Sequence, residues 1–256
     1  MLVLLLGAAP VPPASAAPAP AAAAATSSDK PLVPRELQTD EELSRAIREH
    51  YTKYEHHIPM RDGVKLYTHV YVPKDRSQSY PILLLRTPYG IGPYGIDNYP
   101  QAKDARALRS FSPAPSLIAH GMIFAFQDVR GKLMSEGSFA DVTPHIPSKR
   151  GPQDVDQSSD AYDTIDWLVK HVPGNNGKVG TWGNSYPGFY ATHSAIDAHP
   201  ALKAQTSRQI NSIRYQTSRT FAEDRLFRLK KRYTLVLRRT KLHVSFNPKS
   251  GIACIF

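Results

Sequence analysis

A serine stands in the segment Gly183-Asn184-Ser185-Tyr186-Pro187-Gly188, flanked by residues that suit a sharp chain reversal. A hydroxyl is a weak nucleophile until a base takes its proton. A strand-to-helix turn lifts such a side chain clear of a sheet, and the turn is so tight that the residues two places either side must be small. Gly183 meets that need upstream. Downstream, the pattern G-x-S-x-G asks for glycine at 187, where this chain has Pro187 and then Gly188. Proline is tolerated in a first helical turn, because its missing N–H would have no partner there. The helix that follows aims partial positive charge at the serine, and the Tyr186 N–H is placed to donate to an oxyanion developing on a carbonyl that Ser185 attacks. The chemistry this predicts is acyl transfer from an ester or an amide.

The elements that must position this turn are legible from patterning. Asp40 is a possible N-cap for a short amphipathic helix to His50, with Leu43, Ala46 and Ile47 on one face. Strands are predicted over 54–60 and 66–72, joined by the Asp62-Gly63 hairpin signal. The run 82–85 is apolar on both faces, as a central strand covered by helices on both sides would be. A helix near 101–109 and a further strand over 122–126 follow. Residues 132–156 are rich in Ser, Gly, Pro and Asp and read as a long loop, a feature that is often functional in compact domains. A helix over 160–169, a strand over 178–182 and a helix over 187–198 complete the set. Strands alternating with helices predict an α/β fold with a mostly parallel sheet flanked by helices.

Four further segments make the chain recognisable: 59–66 (PMRDGVKL), 85–89 (LRTPY), 127–131 (QDVRG) with Ser135-Glu136-Gly137, and 160–168 (DAYDTIDWL) running into the Ser185 turn. Over about residues 50–204 the sequence resembles the serine hydrolases that group cocaine-esterase-like enzymes, α-amino-acid ester hydrolases, glutaryl acylases and Xaa-Pro dipeptidyl-peptidases. The stretch between Gly137 and Asp160 looks most like the α-amino-acid ester hydrolase branch. The resemblance implies an α/β-hydrolase fold, Ser185 as nucleophile, and the Tyr89 hydroxyl beside the Tyr186 N–H in the oxyanion hole. It implies no metal or organic cofactor. Arg86 and Arg130 are expected to anchor loops through ion pairs, with Asp128 as their partner. His56 and His57 alternate faces of a strand and are expected at the surface.

In this fold the catalytic Asp and His follow the serine in chain order. Only 71 residues follow Ser185, and the resemblance stops near Ala204. Asp197, Asp224, His193, His199 and His243 are the candidates there. His193 lies two turns into the elbow helix and so points away from the serine, and none of the five fits the expected pattern. The triad Asp and His are therefore expected to be absent, and the fold to be incomplete at its C-terminus. Charge breaks at the same place: residues 205–256 hold 12 of the 32 Lys/Arg and 2 of the 22 Asp/Glu, whereas residues 1–204 balance at 20 of each. That stretch reads as a basic tail of foreign origin, as from a frameshift.

The division expected is a leader over 1–28, the hydrolase part over 40–204 and the tail over 205–256. The apolar start and Ala14-Ser15-Ala16 read as an export signal followed by an Ala/Pro-rich linker, which predicts a secreted or periplasmic protein. The start is too short to span a bilayer. The lone Cys254 allows no internal disulfide and no cysteine zinc cluster. The rival reading is a basic-tail module for nucleic acid or an anionic surface, since Tyr215, Phe221, Phe227 and Tyr233 interleave the cations. Export removes most nucleic acid from reach, so no specific nucleic acid is expected. A non-enzymatic scaffold of the same fold is the third reading. The substrate stays open among an ester, a β-lactam side-chain amide and an Xaa-Pro peptide.

Overall fold

The computed structural model describes residues 39–113 and 115–208, with short strands over 234–235, 244–247 and 252–255. The expected leader, Asp224 and His243 lie outside the described residues. Helix α1 (Asp40–His50) starts one residue earlier than read. Thr39, not Asp40, is the N-cap: its side chain accepts the Glu42 N–H at 3.1 Å while Glu42 accepts the Thr39 N–H at 3.1 Å. This reciprocal pair satisfies two amides at once, which an aspartate one place later would not. Strands β1 (Tyr51–Pro59) and β2 (Lys65–Pro73) then form the hairpin, turning through Gly63 at φ +86°.

Strand β3 (Tyr80–Thr87) leads to the short helices α2 (Ala105–Phe111) and α3 (Pro115–Ala119), and β4 (Ile123–Asp128) follows. Next come α4 (Gln157–His171), β5 (Asn175–Asn184), α5 (Tyr186–His193) and β6 (Leu202–Arg208). The sheet order is β1-β2-β4-β3-β5-β6. Strands β4, β3, β5 and β6 are mutually parallel, and the β1–β2 hairpin joins antiparallel at β4. A two-residue strand β7 (Thr234–Leu235) pairs antiparallel with β6, and β8 (Val244–Asn247) pairs with β9 (Ile252–Ile255) in a separate hairpin.

Period-two alternation divides the core into two layers. Leu83, Leu85, Phe124 and Phe126 face α1, α2 and α3, where Ile47, Leu108 and Phe111 pack. Ile82, Leu84, Ile123 and Ala125 face α4, through Ile165 and Leu168. Helices on both faces explain why β3 and β4 are apolar throughout. Three further helices differ from their sequence reading, α2 running over Ala105–Phe111 rather than near 101–109. The helix read from 160 begins at Gln157 because Asp156 caps it. The elbow helix ends at His193, five residues short of the reading, and the chain turns back through Ala195 and Ile196 toward His199.

Candidate active site

The reversal between β5 and α5 is where the sequence placed it. Ser185 takes φ +61° and ψ −124°, a conformation that L side chains rarely adopt, and its side chain does not cap the helix it precedes. A Cβ on Gly183 would stand 2.2 Å from both the carbonyl carbon and the oxygen of Pro187, so the first turn of α5 lies directly on β5 and only glycine fits there. Pro187 occupies that first turn without losing a hydrogen bond. Tyr186 opens the helix, so its N–H has no intrahelical carbonyl to bond. The half-buried Ser185 thus stands at the C-terminal end of the parallel strands and at the N-terminus of α5.

Tyr89 reaches this turn from the loop after β3. It is 56% exposed, and its ring meets that of Tyr186 edge-on at 6.1 Å between centroids. Its own N–H donates to Thr87 Oγ1 at 3.1 Å. A cavity of about 760 Å³ opens between Tyr89 and Pro187, walled by Ile91, Tyr94, Phe111 and Leu133 among others. The long loop reaches the same place: Val142 N–H donates to the Tyr186 hydroxyl at 3.1 Å, and that hydroxyl donates to Asp141. Asp141 carried no sequence signal, because its contact spans 45 residues.

The arginines anchor loops as expected, but not through Asp128. Arg130 pairs with Asp62 at 2.6 Å and Asp160 at 2.7 Å, tying the β1–β2 turn to α4. Arg86, fully buried, lies 3.5 Å from Asp160 and donates to Gln127 and to the Gln157 carbonyl. Asp128 instead accepts from the Tyr94 hydroxyl at 2.9 Å, and its Oδ1 has no hydrogen-bond partner among the described residues. The β4 side chains alternate, so Asp128 faces the Tyr89 loop while Gln127 faces the arginine and α4. Burial pushes the Asp128 carboxyl up to about 6.

The remaining candidates do not converge on Ser185. His193 is buried, its Nδ1 3.0 Å from the Phe189 carbonyl, and burial lowers its pKa. His199 accepts the Ala201 N–H at 3.0 Å and lies 3.4 Å from Asp166. Asp197 pairs with Lys149 at 2.7 Å and accepts from Ser158 at 2.8 Å. His56 and His57 take opposite faces. His56 is half-buried between Tyr54 and Trp167, and His57 is exposed against Tyr67. Among the described residues, no three His, Cys, Asp or Glu side chains gather as a metal site, and no helix is long and apolar enough to cross a membrane.

A mixed sheet with parallel strands inside, helices on both faces, and a serine on a strained strand-to-helix turn define an α/β-hydrolase. Residues 62–249 match the X-Pro dipeptidyl-peptidase (S15) family, and the chain belongs to it. It is 32% identical over 147 residues to the cocaine esterase of Rhodococcus sp. (strain MB1 Bresler), covering 57% of this chain and 21% of that one. A solved α-amino acid ester hydrolase matches at 43% identity and a TM-score of 0.50, over 60% of this chain and 24% of that one. An aminopeptidase from the marine sediment archaeon Thaumarchaeota archaeon matches at 38% identity and a TM-score of 0.48, over 67% of this chain and 27% of that one. The chain therefore spans about a fifth to a quarter of the length of these relatives.

Proposed function

We propose that Ser185 is the nucleophile of an acyl hydrolase acting on an ester or amide. Its Oγ attacks the substrate carbonyl. The tetrahedral oxyanion accepts from the Tyr89 hydroxyl and the Tyr186 N–H. The Ser185 proton leaves to solvent, the alcohol or amine takes a proton as the intermediate collapses and releases it, and water then hydrolyses the acyl-enzyme. The observation that carries this reading is the Ser185 backbone at φ +61° between Gly183 and α5, a strained turn whose side chain does not cap the helix. Oriented donors of this kind supply a few kcal/mol of transition-state stabilisation.

The proton of Ser185 needs a base, and the described histidines near the elbow, His193 and His199, are committed to the Phe189 carbonyl and to the Ala201 amide. We therefore infer slow turnover for this chain, well below the roughly 1–10³ s⁻¹ of ordinary enzymes. Export, supported by the leader sequence, belongs to the same reading. The test is covalent labelling by a fluorophosphonate, located by peptide mass spectrometry, alongside hydrolysis of p-nitrophenyl butyrate. Labelling at Ser185 that vanishes in Ser185→Ala, with slow hydrolysis, is the expected result. An unlabelled Ser185 would leave a scaffold without chemistry. Hydrolysis at ordinary enzyme rates that Ser185→Ala abolishes would overturn the inference of slow turnover.

A further inference from the structure

The loop that carries Tyr89 has little regular structure to hold it. Residues 88–100 contain no helix or strand, and the backbone passes through positive φ at Gly90 (+93°) and Gly95 (+98°). The Tyr89 amide, at the near end of the loop, donates to Thr87 Oγ1. A hydrogen-bond donor in an oxyanion hole works only if its position is fixed before the charge develops. Something must therefore pin the far limb of the loop.

That limb lies over an unusual side chain. Lys53, on the outermost strand β1, is 1% exposed, and its ammonium has no route to water. Burying an unpaired charge is strongly unfavourable. The ammonium offsets this with three carbonyls of the loop: Pro93 at 2.7 Å, Gly95 at 2.8 Å and Asn98 at 3.1 Å. Its three N–H bonds are used on these carbonyls, and Glu55 Oε1, 2.8 Å away, balances the charge. Glu55 is held in turn by the Tyr67 hydroxyl at 2.6 Å, with His69 Nε2 3.0 Å from its Oε1. The backbone N–H of Lys53 donates to the Tyr99 hydroxyl at 3.0 Å, just past the loop's last clamped carbonyl. A second pin enters from β4. The Tyr94 hydroxyl donates to Asp128 and accepts the Ile91 N–H at 3.3 Å, two residues from Tyr89.

We propose that Lys53 is a positioning residue for the oxyanion hole: its buried ammonium chelates the carbonyls of residues 93, 95 and 98 and so fixes the loop that presents the Tyr89 hydroxyl, with Tyr94 as the second pin. A neutral side chain at position 53 would leave these three carbonyls and Glu55 Oε1 without the cation they surround. The inference rests on the assignment of Ser185 and Tyr89 above.

Phenylboronic acid tests it without requiring turnover. Ser185 Oγ forms a bond to boron, boron passes from trigonal to tetrahedral and takes a negative charge, and the hydroxyl proton leaves to solvent. The adduct's oxygen then seeks the oxyanion donors, and ¹¹B NMR reads the tetrahedral fraction. The expected result is an adduct in the wild type that is absent in Ser185→Ala. Lys53→Met should raise its dissociation constant about tenfold, since displacing an oriented donor costs less than deleting it. Tyr94→Phe should raise it severalfold. Asp163→Ala, which breaks the remote Arg61–Asp163 pair and touches nothing in the loop, should leave the adduct unchanged. Lys53→Met and Tyr94→Phe binding as the wild type does would overturn the positioning role alone. If Lys53→Met does not fold, Tyr94→Phe decides. No adduct in the wild type would overturn the Ser185 assignment, and this inference with it.

Discussion

At Ser185 the backbone is held at φ +61°, ψ −124° by its neighbours rather than by its own preference. Such a conformation costs an L residue about 1–3 kcal/mol, and the surrounding structure has to over-determine it. Here β5 and α5 do so, together with the Phe189 N–H bond to the Ser185 carbonyl at 3.3 Å. Glycine adopts this region freely but loses more entropy on folding, by about 0.5–1 kcal/mol. Ser185→Gly should therefore raise the unfolding free energy by about 1 kcal/mol while abolishing fluorophosphonate labelling, and Ser185→Ala should change stability little. Gly183→Ala should act in the opposite direction. Its Cβ meets rigid backbone at 2.2 Å, so a loss of about 2–3 kcal/mol or more is expected. Urea titrations of the three variants check this, and a destabilised Ser185→Gly would show that no strain is stored at the turn.

At the scale of elements, one carboxylate starts α4 and closes the long loop. Asp156 Oδ1 accepts the N–H groups of Ser158 and Ser159, each at 2.9 Å. Its Oδ2 accepts from Ile146 at 2.8 Å and lies 2.9 Å from Lys149 and 3.1 Å from His145. These donors, backbone amides first, outweigh burial and hold its carboxyl well below the usual range. Asp156→Ala should cost about 3 kcal/mol, of which the cap alone is about 1 kcal/mol. Asp156→Asn keeps a capping oxygen and should cost about half as much by urea titration. Equal losses in the two variants would mean that the charge contributes nothing. The sequence reading starts this helix at Asp160, where acidic residues stand in the first turn and the apolar face of Tyr162, Ile165, Leu168 and Val169 begins. Strand existence was easier to read than helix ends: unbroken apolar runs marked β3 and β4, whereas a cap depends on a hydrogen bond that composition only hints at. The site divides in the same way. The elbow is local and legible, while Lys53 reaches the Tyr89 loop and Asp141 reaches Tyr186 across 40 to 45 residues of chain.

At the scale of the whole molecule, stability against pH is set by groups that folding withdraws from water, and two of them oppose each other. Burial lowers His69 to about 4, with the nearby Lys53 adding to the effect. Between pH 4 and 6.5 the unfolded chain then binds more protons than the folded one, and stability rises with pH. His56 and His193 are lowered in the same direction. Asp128 works the other way. Its Oδ1 is unpartnered among the described residues, and burial lifts it from an ordinary 3.8 to about 6 despite the Tyr94 hydroxyl. The folded chain therefore holds this proton more tightly. The stability it contributes is complete below pH 4, declines as pH rises toward 6, and is gone above that. In the wild type the histidines' gain is offset by this loss, so the profile should be shallow. Asp128→Asn keeps an acceptor for Tyr94 and removes the titration. The difference in unfolding free energy, variant minus wild type, should then climb by about 3 kcal/mol between pH 4 and 6.5 and stay level above, because every other group cancels in the difference. Urea titrations of both proteins from pH 4 to 8 measure it. Parallel profiles would mean that Asp128 is ionised in the folded protein at no cost, which a carboxylate with Oδ1 buried and unpartnered among the described residues does not permit.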